Sequence, residues 1–414
     1  MKWPDYQLCE LAKRFISGGT PNTKIEEYWH GDIPWITGAD FDDGEVILGR
    51  RYINQAAVDN SATNIVPQGS ILIVTRTGVG KTAIAPVDIA ISQDITGVIP
   101  KGKVLARYLI VAIRNKMTVI LAAQRGATIK GVTRKDVENL PIPLPPPSEQ
   151  RRIVEIIDQA DRLRKLRADA DAKAQRILPT LFLKMFGDPA TNPKGWEQKT
   201  LAQTGSKVRY GLGQPPDVAI DGVPLIRATN IKHGYISKEN MVYVNSNSVP
   251  STRNAFLDAD EVLVVRSGAY TGDVAQVTEE WKGSVVGYDL VITPSDKLRA
   301  EFIESYLLTP YIQKNYFVAH KSRAGQPHLN ASQLENTPFY VPPKERQDKY
   351  RNMVSDLRKQ NAERKNSEKR IQKMFQVILH RSFTGNLTAS WRKAHMKELL
   401  QDLKRQSNCL ETLK

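Results

Sequence analysis

The chain has 414 residues, 41% hydrophobic and 25% charged, which suits two or three folded domains and excludes a disordered polypeptide. Two cysteines, Cys9 and Cys409, exclude a disulfide framework and a cysteine metal cluster, and fit a reducing cytoplasm. The net charge of +15 is placed unevenly: residues 344–414 hold 18 basic against 8 acidic side chains, while residues 189–343 hold 15 of each, so charge alone is a weak argument for nucleic acid.

In chain order, residues 1–147 read as short β-rich runs punctuated by Gly, Pro, Asn and Asp, with a helical patch at 107–116. The opening MKWPDYQLCELAKRF lacks the apolar core of a leader. Apolar runs such as 71–74 and 262–265 are strand-sized and cannot cross a membrane. The proline-rich stretch 141–147 then reads as a hinge, since proline fixes φ and removes a donor. A long helix is expected over 148–178, with Ser148 as N-cap and Ile153, Ile157, Leu163 and Ile177 among its apolar positions. A second β-rich region covers 189–343, with a helical patch at 300–316 and a proline hinge at 338–343. A second long helix follows, with Val354, Leu357, Ile371 and Ile378 on its apolar side, and then a tail without a counterpart earlier in the chain.

The chain is in fact written twice, with a period of about 190–198 residues, far too long for a solenoid. Ile33-Pro34-Trp35-Ile36 returns as Val223-Pro224-Leu225-Ile226, and Arg76-Thr77-Gly78 after an apolar run returns as Arg266-Ser267-Gly268. Gln93-Asp94 returns as Tyr288-Asp289, and Glu138-Asn139, Pro145-Pro146 and Gln150 return 197 residues later. The implied fold class is α+β: two β-rich domains separated by two long helices, related by a pseudo-two-fold repeat. Neither helix buries enough surface alone, so the two are expected to pack as an antiparallel coiled coil. The division is 1–147 and 189–343 for the heads, 148–188 and 344–385 for the spacer helices, and 386–414 for the tail.

Chemistry is hard to find. Gly78-Val79-Gly80-Lys81-Thr82 resembles the end of a phosphate-binding loop, but Thr75 stands where the first glycine is needed, and Pro86 precludes a helix. Asp217, Glu280 and Lys282 are too scattered for a nuclease set, and the six histidines form no metal-binding pair. A non-catalytic binding protein is the reading these absences leave.

The segment 186–196, Phe-Gly-Asp-Pro-Ala-Thr-Asn-Pro-Lys-Gly-Trp, resembles the junction between the first long helix and the second target-recognition domain of type I restriction–modification specificity subunits. Pro141-Ile142-Pro143-Leu144-Pro145-Pro146 with Glu149-Gln150 and Ile153-Val154 resembles the entry to their conserved helix. Ser17-Gly18-Gly19-Thr20-Pro21 is similar to the opening of the first domain, and Phe383-Thr384-Gly385-Asn386-Leu387 to the close of the second helix. The resemblance covers residues 1–390; the second helix departs from it at Lys344-Glu345-Arg346. It implies that each head reads one half of a split site in double-stranded DNA. It also implies that the helices dock two modification (methyltransferase) subunits, joined by restriction (motor–nuclease) subunits. S-adenosylmethionine, ATP and magnesium then belong to those partners, and this chain carries no cofactor, metal or catalytic residue. The alternative is a stand-alone two-headed DNA-binding protein without a methyltransferase.

Candidate DNA contacts come from basic and hydroxyl residues on glycine-rich loops, which bring a guanidinium to a base edge or phosphate without backbone obstruction. In the first head these are Arg76, Thr77 and Lys81, then Arg125, Thr128 and Lys130. In the second they are Arg266, Ser267, Tyr270 and Thr271, then Lys321, Arg323 and Gln326.

Overall fold

The structure, a computed structural model, describes residues 3–42, 44–102, 104–123, 132–318 and 328–411. The chain divides into two compact units, Met1–Leu166 with Lys369–Lys414, and Arg167–Glu368. Each unit therefore combines one β-rich head with an end of both long helices.

In the first unit an antiparallel sheet runs in the order Ala12–Ser17, Ile95–Pro100, Ile71–Val74, Thr82–Ile84. Side chains alternate across a strand, and here both faces are covered. Ile71 and Ile73 join Tyr108, Leu109 and Ile113 of the helix Ala106–Ala123. Leu72 and Val74 join Ile36, Ile89 and Ile91 of a second sheet. That sheet pairs Ile33–Ile36 parallel with Ile89–Ile91, flanked by Tyr52–Ile53 and Asn64–Val66.

The second unit repeats the plan. Lys207–Tyr210, Leu290–Thr293, Val262–Val264 and Val274–Gln276 form the antiparallel sheet, and Val218–Ile226 lies parallel to Val285–Val286 in the other. Val262 and Val264 face Phe302 and Tyr306 of the helix Ala300–Leu307, whereas Leu263 and Val265 face Ile226 and Val286.

The proline stretches are not free hinges. Pro141–Pro143 is a strand paired antiparallel with Asp5–Gln7, and Pro338–Tyr340 pairs likewise with Gln198–Thr200. Prolines are tolerated because each ribbon has only two strands, leaving an edge where a missing N–H breaks no ladder. Each head is thereby closed by its own first and last strands. The first long helix starts at Pro147, so Ser148 lies inside it rather than capping it; proline suits a first turn whose N–H has no partner. It ends at Gln175, and a second helix, Ile177–Phe186, follows. Pro179 explains the break, since it cannot donate to the carbonyl of Gln175. The other long helix is continuous from Lys344 to Phe383.

The two long helices share apolar contacts towards their ends, inside the head cores. Ile153 and Ile157 are buried in the first head's core, with Ile378 packed against it, and Val354 is buried in the second head's core. Leu357 and Ile371 are half-buried. Leu163 and Ile177 are 54% and 47% exposed. The helix segments run antiparallel within each unit, through both apolar and polar contacts. In the first unit Ile153 and Ile157 share a cluster with Ile378 and Phe383, while Arg164 lies 5.3 Å over the ring of Phe375. In the second, Phe186 meets Tyr350 while Asp171 pairs with Arg364, and Arg167 Nη2 donates to the Arg364 carbonyl at 2.8 Å. A heptad seam needs two facing apolar stripes, and here the apolar residues cluster at the helix ends, where the heads consume them.

Two repeated contacts fix each helix start to its head. Gln150 Oε1 accepts from Leu105 N, and its Nε2 donates to the Pro145 carbonyl. Gln347 does the same with Arg299 N and the Pro342 carbonyl. The tail is part of the first unit, with helices Ala389–Ala394 and Met396–Glu411. Arg392 is buried against Glu149, whose carboxylate also accepts from Trp3 Nε1 and Thr388 Oγ1.

Candidate nucleic-acid interface

Both heads present a turn where the central strand of the antiparallel sheet reverses. In the first, Gly80 N donates to the Val74 carbonyl at 3.0 Å and Val74 N to the Lys81 carbonyl at 2.9 Å. In the second, Gly272 N donates to the Val265 carbonyl and Val265 N to the Asp273 carbonyl. Gly78, Gly80, Gly268 and Gly272 all take φ between +86° and +91°, conformations that L side chains resist. These are hairpin turns. Thr82, which would follow the lysine of a phosphate-binding loop, opens a strand and receives Arg114 Nε on its hydroxyl at 3.0 Å.

The predicted contact residues separate into three groups. Arg76 and Thr77 are exposed on the first turn, and Arg76 has no hydrogen-bond or ion-pair partner among the described residues. Lys81 is tied down instead: its ammonium donates to the carbonyls of Gly38 and Phe41, at 3.4 and 3.2 Å. In the second head Tyr270 is 43% exposed, but Thr271 is buried with its hydroxyl turned onto the Gly268 carbonyl at 2.7 Å. Ser267 forms a backbone bridge to His328. Arg125, Thr128, Lys130, Lys321, Arg323 and Gln326 lie outside the described residues.

Arg266 is the most fixed of the set. Its guanidinium lies 4.7 Å from the ring centre of Tyr210 and 4.3 Å from that of Tyr288. Its Nε and Nη2 face His328 Nε2 at 3.3 and 3.2 Å. Beneath it the buried Asp289 accepts from Arg266 N at 3.1 Å. Burial pushes the Asp289 carboxyl up to about 6, against the opposing pull of that hydrogen bond and of the arginine charge. Beside it, Lys232 Nζ sits 4.4 Å from the centre of the Tyr270 ring.

Sequence reasoning missed two groups of residues. In the first head Trp29, His30, Gly31, Arg50, Arg51 and Tyr52 line an open cavity of about 500 Å³. Arg50 pairs with the buried Asp40 at 3.3 Å, and Arg51 lies 4.9 Å over the Trp35 ring. Only the fold brings Arg50, by its bond to the Ala39 carbonyl, next to the segment that anchors Lys81. In the second head Tyr210, Tyr288 and His328 were overlooked; the one local signal was the replacement of Gln93 by Tyr288 in the repeat. Among the described residues no group of three His, Cys, Asp or Glu could hold a metal ion, and no helix is long and apolar enough to cross a membrane.

The family model "Type I restriction modification DNA specificity domain" matches residues 1–174 and again 217–373. A similar protein, the type I restriction enzyme MjaIX specificity subunit of Methanocaldococcus jannaschii, is 28% identical over 381 residues, covering 86% of each chain. The EcoR124I/EcoR124II specificity subunit of Escherichia coli is 35% identical over 163 residues, 38% of this chain and 40% of its own. Among solved structures, the type I restriction–modification S subunit from M. genitalium shares the fold with a TM-score of 0.56 at 14% identity, covering 92% of this chain and 96% of its own. A chain from a type I R-M system structure reaches a TM-score of 0.61 at 18% identity, over 93% and 98%. Two copies of the domain and this set of relatives lead to one statement: the chain belongs to the DNA-specificity subunits of type I restriction–modification systems, non-catalytic recognition subunits.

Proposed function

We propose that this chain reads a bipartite site in double-stranded DNA, one head per half-site, and brings modification subunits to it through its long helices. The observation that carries the reading is the duplicated turn: Arg76 and Arg266 each leave the central strand of equivalent sheets on a glycine-bounded turn. Restriction subunits would complete the cleaving complex, and S-adenosylmethionine, ATP and magnesium would be bound by the partners. Arg76, Thr77, Arg266, Ser267 and Tyr270 are the proposed contacts on the described surface. Lys81 and Thr271 would shape their turns.

The test is coexpression of the full chain with a methyltransferase subunit, followed by single-molecule sequencing of methylated DNA. The expected result is a copurifying complex and a motif of two short specified blocks separated by unspecified bases. Methyl transfer, nuclease or ATPase turnover by the purified chain alone would overturn the reading. Tight, site-specific binding without any copurifying methyltransferase would favour a stand-alone two-headed binder.

A further inference from the structure

We infer that the second head reads a guanine through the end-on edge of Arg266, and that Tyr210, Tyr288 and His328 are the positioning residues that make this arginine specific. The inference rests on the DNA-reading role proposed above and assigns its chemistry to one half-site.

A guanidinium has two forks. The fork formed by Nε and Nη2 is occupied by His328 Nε2. That leaves Nη1, which has no partner among the described residues, together with the second hydrogen of Nη2. This remaining fork suits a ligand edge carrying two adjacent acceptors. Guanine offers N7 and O6 side by side in the major groove, and a bidentate arginine is the commonest way to read them. A phosphate would accept the same fork, but it asks only for a nearby charge, which a mobile lysine supplies as well. Here the plane of the cation is fixed by two rings and a histidine, and Arg266 N is bonded to Asp289 below. Such restraint limits the orientations in which two acceptors are satisfied together, which is the requirement for discriminating bases. His328 is in turn fixed by its backbone bridge to Ser267 and by Leu329 N donating to the Arg266 carbonyl. The head's balanced charge, 15 basic against 15 acidic residues over 189–343, also argues against a site built on phosphate attraction.

Among its described residues the first head shows no such apparatus. Gln93 stands where the repeat places Tyr288, and Arg76 has no ring contact among the described residues. The two heads thus use the same turn with differently restrained arginines.

The experiment compares full-length variants in complex with the modification subunit, reading the methylated motif position by position. Arg266→Lys keeps the charge and loses the fork; discrimination for guanine at one position of one block should fall on the order of ten- to a hundredfold. Tyr288→Leu should relax the same position, while Tyr288→Phe, which keeps the ring, should leave it as in the wild type. Tyr288 is 49% exposed, so neither change threatens the core. The other block, read by the first head, serves as the folding control and should not change. The inference is overturned if the wild-type motif has no guanine in the affected block, or if Arg266→Lys leaves the motif intact. It is equally overturned if Arg266→Ala, which removes the charge, weakens all positions evenly with a shallower salt dependence, the signature of a lost phosphate contact. A wild-type complex that methylates no discrete motif would instead overturn the parent reading.

Discussion

Asp289 lies under the glycine turn of the second head with 3% of its surface exposed, and its carboxyl is pushed up to about 6. Between roughly pH 4 and this value the folded chain holds a proton that the unfolded chain has released. Stability therefore falls through this group as pH rises across that window, and the cost is full above it. Asp289→Asn keeps an acceptor for Arg266 N and removes the charge. It should stabilise the second unit by about 2 kcal/mol at pH 7, with the difference fading towards pH 4, as measured by denaturant unfolding across pH. Glu149 is a buried carboxylate with three donors, Arg392, Trp3 and Thr388. Arg392→Met strands its charge and should cost about 3–5 kcal/mol in chemical denaturation, whereas Glu149→Gln combined with Arg392→Met should recover most of it.

At the scale of elements, the long helices are fastened by their ends. Gln150 and Gln347 each bridge the proline segment after a head's last strand and the start of a head helix, and both contacts recur in the second half of the chain. Between those ends the helices meet through Arg167, Asp171 and Arg364 rather than a leucine seam. Because each long helix has one end in either unit, its length is the variable expected to set the interval between the two DNA blocks. Adding one turn, about 5.4 Å, to both helices together should widen the unspecified gap by one or two base pairs and leave the blocks unchanged. Adding it to one helix alone should mismatch the Asp171–Arg364 pairing and abolish assembly. Methylation sequencing and copurification distinguish the two outcomes, and a gap indifferent to both insertions would remove the helices from the role of ruler.

Over the whole molecule, the two heads are closed modules, each tied at its own first and last strands by Asp5–Gln7 with Pro141–Pro143 and Gln198–Thr200 with Pro338–Tyr340. Replacing residues 1–140 with another head of the family should therefore change one block of the methylated motif only; a change in both would refute independent reading. The duplication, the mixed fold and the family were legible because they depend on local order: strand-sized apolar runs at Ile71–Val74 and Val262–Val264, proline at fixed places, and motifs recurring in the same order in both halves. Long-range partners were not legible. A periodic apolar residue on a helix announces that it will be buried, not against what, so Ile153 and Val354 pointed to a seam while the heads claimed them. Likewise an arginine on a glycine turn announces a reachable cation. Whether it is left without a partner, as Arg76 is among the described residues, or is fixed by Tyr210, Tyr288 and His328 like Arg266, depends on residues some 20 to 60 positions away. Sequence alone determined the repeated plan, since period and turn chemistry act between neighbours in the chain. The tertiary structure decided which polar groups meet, since hydrogen bonds and ring contacts are selected by closeness in space.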